Sequence, residues 1–196
     1  MKFIFRTFFL LMLGLATIPC YAFEGHATSK DGNLKVNYKV VDGYRVTITI
    51  NTKIKKLAYQ KSFKTDVGAI DIFFIDVNKD GYQDVMIQYA DETGYTPEVL
   101  LNHDNLSFTN ALMEVKKKFA TAIYVNTEVD LIEEGVQPSG VSYQLKDMSG
   151  DGVPELIFYN TFIEYKGYRY VAFQLDRKKM NYRLYKKGKV FVEQQI

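Results

Sequence analysis

Residues 34–51, LKVNYKVVDGYRVTITIN, alternate apolar and polar side chains on both sides of an Asp-Gly pair. Leu34, Val36, Tyr38 and Val40 share one phase, with Lys35, Asn37 and Lys39 in the other. After Asp42-Gly43 the phase resumes, with Tyr44, Val46, Ile48 and Ile50 set against Arg45, Thr47, Thr49 and Asn51. A period of two sends successive side chains to opposite faces of a strand, and Asp-Gly supplies two residues that tolerate positive φ. The stretch predicts a β-hairpin with one buried face.

The same signal recurs along the chain. KKLAYQKSF keeps Leu57, Tyr59, Lys61 and Phe63 in phase, and AIDIFFID and VMIQYA follow as apolar strands. EVLLNHDNLSFTN predicts a hairpin turning at His103-Asp104-Asn105. Further strands are expected at VSYQLKD, ELIFYN, YRYVAFQLD, NYRLYKKG and KVFVEQ. One segment breaks the pattern. NALMEVKKKFA places Leu112, Val115 and Phe119 three and four apart behind an Asn110 cap, which suits a short amphipathic helix. EEGVQPSG, residues 133–140, is a turn-rich loop. The chain holds 14 Phe and 15 Tyr with no Trp, an aromatic load that fits strands. The expectation is one all-β domain, residues 23–196, with one short helix.

Residues 1–22 are expected to be a secretory leader. Lys2 and Arg6 precede the apolar run at 8–18, which is short for a bilayer span, and Ala22 closes a CYA exit. Without the leader, the 25 Lys and Arg fall to 23, equal to the 23 Asp and Glu. Cys20, the single cysteine, would leave with it. A neutral, cysteine-free chain of this size needs no disulfide and suits a periplasm or the exterior. Its charge gives no reason to expect a nucleic-acid partner, and no second apolar run is long enough to embed it in a membrane.

The chemistry concentrates in two acidic loops. IDVNKDGYQDVMI places Asp76, Asn78, Asp80 and Asp84 around Gly81, and LKDMSGDGVPELIF places Asp147, Ser149, Asp151 and Glu155 around Gly152 at the same offsets. The shared pattern is D-x-[DNS]-x-D-G-x-x-[DE], and its recurrence makes an internal repeat, about 71–109 and 141–185. Alternate positions turn their oxygens to one side of a curling backbone, and the glycine permits the sharp bend. Hard oxygen donors without His or Cys fit Ca²⁺ better than a transition metal. An ion-free acidic turn, with carboxylates capping amides, is the competing reading. The loops are not EF-hands: the twelfth position is Ile87 or Phe158, and strands flank both. Ser149 is a poorer donor than Asn78 and Pro154 stiffens the second loop, so the first is expected to hold the tighter site.

These residues, with the VLLNHDNLSF hairpin after the first loop, resemble FG-GAP or VCBS repeats. The resemblance implies β-propeller-like antiparallel sheets with a Ca²⁺ ion in each loop. It assigns ligand roles to Asp76, Asn78, Asp80, Asp84 and the Tyr82 carbonyl in the first copy. In the second it assigns them to Asp147, Ser149, Asp151, Glu155 and the Val153 carbonyl. In size, leader and acidic loop the chain is also similar to small periplasmic lysozyme inhibitors.

No catalytic constellation stands out. His26 is expected in a solvated terminus and His103 at a hairpin tip beside Asp104, with no nucleophile in reach. The aromatic run of Tyr159, Phe162, Tyr165, Tyr168 and Tyr170 is expected to pack across strands. The sequence therefore predicts a periplasmic or secreted, non-enzymatic calcium-binding protein that binds another protein, such as a peptidoglycan hydrolase that it inhibits. A metal-dependent hydrolase built on Asp76, Asp80 and Asp84 is the alternative.

Overall fold

A computed structural model describes residues 22–64, 67–90, 94–117, 125–126, 143–159 and 170–188. The strands form three antiparallel meanders in chain order. The first contains β1 (Phe23–Thr28), β2 (Leu34–Val41), β3 (Arg45–Thr52) and β4 (Tyr59–Lys64). The second contains β5 (Ala69–Ile75), β6 (Asp84–Ala90), β7 (Gly94–His103) and β8 (Ser107–Asn110), with β9 (Val125–Asn126) paired to the start of β7. The third contains β10 (Tyr143–Lys146), β11 (Glu155–Tyr159), β12 (Tyr170–Asp176) and β13 (Asn181–Gly188). The body is all-β. A helical segment follows β8 at 113–117, entered where the Asn110 carbonyl oxygen of the side chain accepts from Leu112 N–H at 3.0 Å. No helix among the described residues is long and apolar enough to cross a membrane.

The hairpin at Asp42-Gly43 forms as its pattern requires. Both turn residues take positive φ, 58° and 72°, and Val36, Val40, Val46, Ile48 and Ile50 line one buried face. A slip of one residue would turn all of them to solvent, at about 1.5–3 kcal/mol each, which fixes the register. The apolar phase overruns the strands at two points. Tyr44 lies exposed beyond β3, and Leu57 precedes β4, exposed with a φ of 60°. His26 is not in a loose terminus: residues 23–28 pair with β2, and His26 faces outward on that edge strand. Opposite Tyr38 the edge strand carries Gly25, where a Cβ would lie 2.4 Å from the Tyr38 hydroxyl. The ring occupies the space a side chain there would need. Phe119, the 133–140 loop, the KVFVEQ strand and most of the 159–170 aromatic run lie outside the described residues, as does the leader up to residue 21. Tyr170 itself is buried.

The middle sheet is buried on both faces. Ile70, Val85, Ile87, Tyr89, Leu100 and Phe108 pack with the inner face of the first sheet. Met86, Val99 and Leu101, with Leu112 and Val115 after β8, pack with Leu156, Phe158, Val171, Phe173 and Tyr182 of the third. The near-continuous apolar run of β6 follows from this position, because a strand covered on both sides has no polar phase. A backbone bond from Tyr182 N–H to the Ala111 carbonyl, 2.9 Å, joins β13 to the entrance of the helical segment.

One buried charge crosses between sheets. Glu98 of β7 points toward the first sheet, where its Oε1 accepts from Lys61 Nζ at 2.8 Å and from Lys116 Nζ at 3.2 Å. Its Oε2 accepts from the Tyr89 hydroxyl at 3.3 Å. Burial pushes the Glu98 carboxyl up, but the two ammonium groups outweigh it and hold the group below the usual carboxylate range. Burial also pushes the Tyr89 and Tyr59 phenols well up, with Glu98 adding to both shifts.

Candidate metal centre

Each acidic loop joins the first two strands of a meander, 76–83 between β5 and β6 and 147–154 between β10 and β11. The two backbones match. The fourth position is left-handed in both, Lys79 at φ 59° and Gly150 at 77°, and so is the sixth, Gly81 at 92° and Gly152 at 81°. At those angles a side chain meets its own backbone, which is why glycine recurs at the sixth position.

In the first loop the expected ligands are bonded to the loop itself. Asp76 accepts from Asp80 N–H at 3.1 Å and from Gly81 N–H at 3.0 Å. The Asn78 amide donates to Asp80 at 2.8 Å, and the other Asp80 oxygen accepts from Tyr82 N–H at 2.9 Å. Asp84 is wholly buried, with Oδ2 accepting from Val77 N–H at 2.8 Å and Oδ1 from Asn102 N–H at 2.7 Å. Burial pushes its carboxyl up to about 7 against the pull of those amides. Asn102 fastens the neighbouring turn, donating to the Gln83 carbonyl and to Asn105 Oδ1, each at 2.9 Å.

The second loop follows the same plan with one difference. Asp147 accepts from Gly150 and Gly152 N–H at 2.7 and 2.8 Å, and Asp151 accepts from Val153 N–H at 2.9 Å. The Gly152 amide is the main cause holding the Asp147 carboxyl below its ordinary range. Ser149 reaches Asp147 only at 3.5 Å. Glu155, also wholly buried, directs Oε2 to Met148 N–H at 2.6 Å and Ser149 N–H at 3.2 Å. Its Oε1 is buried and has no hydrogen-bond partner among the described residues. Asp147, Asp151 and Glu155 each bring one carboxylate oxygen within 4.8 Å of the others. Among the described residues no such group forms at the first loop. The carboxylates thus converge at the second loop, the one expected from its sequence to bind less tightly.

Side-chain length separates the two loops, because their register is the same. Val85 pairs with Leu100 and Leu156 with Phe173, so Asn102 corresponds to Leu175. Asp84 spans from its own loop to the Asn102 amide and uses both oxygens. Glu155 has one methylene more, satisfies two loop amides with one oxygen, and keeps the other spare.

Tyr182 was not among the expected site residues. Its side chain is wholly buried and its hydroxyl has no hydrogen-bond partner among the described residues. Burial drives its phenol far up, and the Asp84 and Glu155 carboxylates add to the shift. The phenol thus feels the ninth-position acids of both loops. An unsatisfied buried hydroxyl costs about 1–3 kcal/mol, so Tyr182→Phe is expected to raise stability by about 1 kcal/mol in thermal melts. A loss of stability instead would mean that the hydroxyl holds a bridging water.

His26 is exposed, and His103 Nε2 lies 2.8 Å from Thr109 Oγ1. Comparison with protein families, with curated proteins and with solved structures finds no match to this chain.

Proposed function

We propose that the chain is an exported, non-enzymatic calcium-binding module of the FG-GAP or VCBS kind, whose body binds another protein. The observation that carries the calcium reading is Glu155, a fully buried carboxylate with a spare oxygen beside Asp147 and Asp151. A buried anionic oxygen without a donor is costly, and a hard divalent cation relieves both that cost and the repulsion among three carboxylates. Oxygen donors alone favour Ca²⁺. Asp147, Ser149, Asp151, Glu155 and the Val153 carbonyl would hold it there. Asp76, Asn78, Asp80, Asp84 and the Tyr82 carbonyl would do so in the first loop, after Asp76 and Asp80 exchange amides for the ion. A propeller-like architecture belongs to the same reading, supported by three consecutive four-stranded meanders packed face on face. The partner in this reading is a peptidoglycan hydrolase of the periplasm.

Calorimetric titration of Ca²⁺ into chelator-stripped protein tests the first part. Binding that Asp151→Asn weakens by at least about tenfold is expected, with Mg²⁺ binding more weakly. No heat at millimolar Ca²⁺ removes the calcium reading. Co-elution with a lysozyme-type glycosidase, with loss of its activity, tests the second. A hydrolytic activity of the chain itself, lost on chelation and in Asp151→Asn, would replace the inhibitor with an enzyme.

A further inference from the structure

Three turns meet at one end of the first two sheets. The β3–β4 connection bonds to the β1–β2 turn through Lys53 N–H to the Asn33 carbonyl at 3.0 Å and Lys53 Nζ to the Asp31 carbonyl at 3.1 Å. It bonds to the β7–β8 turn through Thr52 Oγ1 to the Asn105 carbonyl at 2.7 Å. On these turns stand three of the most exposed apolar side chains of the described residues, Ile54 at 64%, Leu57 at 47% and Leu106 at 50%. Ile54 and Leu57 are interleaved with Lys53, Lys55 and Lys56, all exposed.

We propose that this end of the molecule, the turn at 52–58 with Leu106 beside it, is a docking surface for an anionic lipid bilayer. The backbone is built to hold the apolar side chains outward. Leu57 is left-handed at φ 60°, a conformation a leucine adopts at a cost. It is held there by its own N–H to Asn51 Oδ1 at 2.8 Å and by Ala58 N–H to the Ile50 carbonyl at 2.8 Å. Had Leu57 continued β4, its side chain would have entered the core phase shared by Tyr59 and Phe63.

Other bonds pair most of the turn's amides from within. Thr52 N–H reaches the Lys55 carbonyl and Lys55 N–H reaches Thr52 Oγ1, each at 2.9 Å. With the amides of residues 52, 53, 55, 57 and 58 paired, the turn strands few donors in the headgroup and acyl boundary. Leucine and isoleucine immerse while neighbouring lysines lay their stems along the apolar layer and keep their ammonium groups among the headgroups.

Charge selects the lipid. Asp31 and Asp104 are the acids on these turns, and Asp31 is engaged by Ser29 and Asn33 at 2.5 Å each. Lys30, Lys53, Lys55 and Lys56 outnumber them, so an anionic surface fits and a neutral one gains only the apolar contacts. A bilayer also asks for no matched cleft, which suits exposed side chains carried on turns. The inference does not depend on either acidic loop holding an ion.

The chain has no tryptophan, so Ile54→Trp supplies a single reporter at an exposed site that leaves the core intact. With vesicles of equal parts phosphatidylglycerol and phosphatidylcholine, its emission is expected to shift to the blue and to be quenched by brominated acyl chains. Reversing Lys53, Lys55 and Lys56 to Glu in that variant is expected to weaken partitioning by at least about tenfold. Emission that stays red with every vesicle, while acrylamide quenches it freely, overturns the proposal. An equal shift on pure phosphatidylcholine that ignores the lysine reversals overturns the anionic selectivity. A blue shift that grows with protein concentration and without lipid reassigns the surface to a second copy. One produced by a peptidoglycan hydrolase and not by vesicles reassigns it to a protein contact.

Discussion

Millimolar Ca²⁺ is expected to raise the melting temperature of the chelator-stripped protein by about 5–10 °C, and Glu155→Gln to remove most of that gain. A ligand at about a hundred times its dissociation constant stabilises the native state by ~2.7 kcal/mol. For a domain of this size each kcal/mol moves the midpoint by about 2–4 °C. Glu155→Gln discriminates because the side chain keeps its shape. Its oxygen can still accept from Met148 and Ser149, and its amide nitrogen then replaces the spare oxygen with a donor that repels a cation. Without calcium the variant should be as stable as the wild type or slightly more so, since a buried anionic oxygen has gone. Asp76→Asn reports on the first loop separately. If Glu155→Gln keeps the full calcium response, the ion is not at the second loop.

The sequence was most legible where pattern and turn chemistry agreed. Val36, Val46 and Ile48 form one buried face because nothing competes with a period of two around Asp42-Gly43. Tyr44 and Leu57 departed because the phase of a pattern does not mark where pairing stops; hydrogen bonds in the turns do. The two loops were legible as repeats, but which of them gathers its carboxylates was not. Motif position equates Asp84 with Glu155, whereas one methylene decides which carboxylate reaches the partner strand and which keeps a spare oxygen. The Asn102 backbone N–H serves Asp84 from another strand, and Glu155 takes two amides of its own loop instead. Tyr182 carried no local signal, because its link to both acids exists only once the sheets pack. Glu98 had one: Lys61 sits in the apolar phase of Tyr59 and Phe63, and an inward lysine requires an acid on the facing sheet.

Glu98→Gln is expected to cost about 3 kcal/mol, lowering the melting temperature by about 6–12 °C at neutral pH. The substitution leaves Lys116 partly buried beside a neutral group and breaks the tie between β4, β7 and the helical segment. The figure lies at the lower end for a broken buried pair because Lys61 is 37% exposed and can turn to water. For the same reason Lys61→Met should cost only about 1 kcal/mol, so a similar loss from both variants would count against a buried charge as the cause. The pH dependence gives an independent check. Glu98 is held below its ordinary value in the folded chain, so its contribution is in place above the unfolded glutamate value of about 4.3 and is lost as pH falls through the lower folded one. The gap between the melting curves of wild type and Glu98→Gln should therefore hold from pH 7 to about 5 and begin to narrow as pH falls below about 4. A gap that does not narrow at all as pH falls below about 4 would place the effect in packing rather than charge.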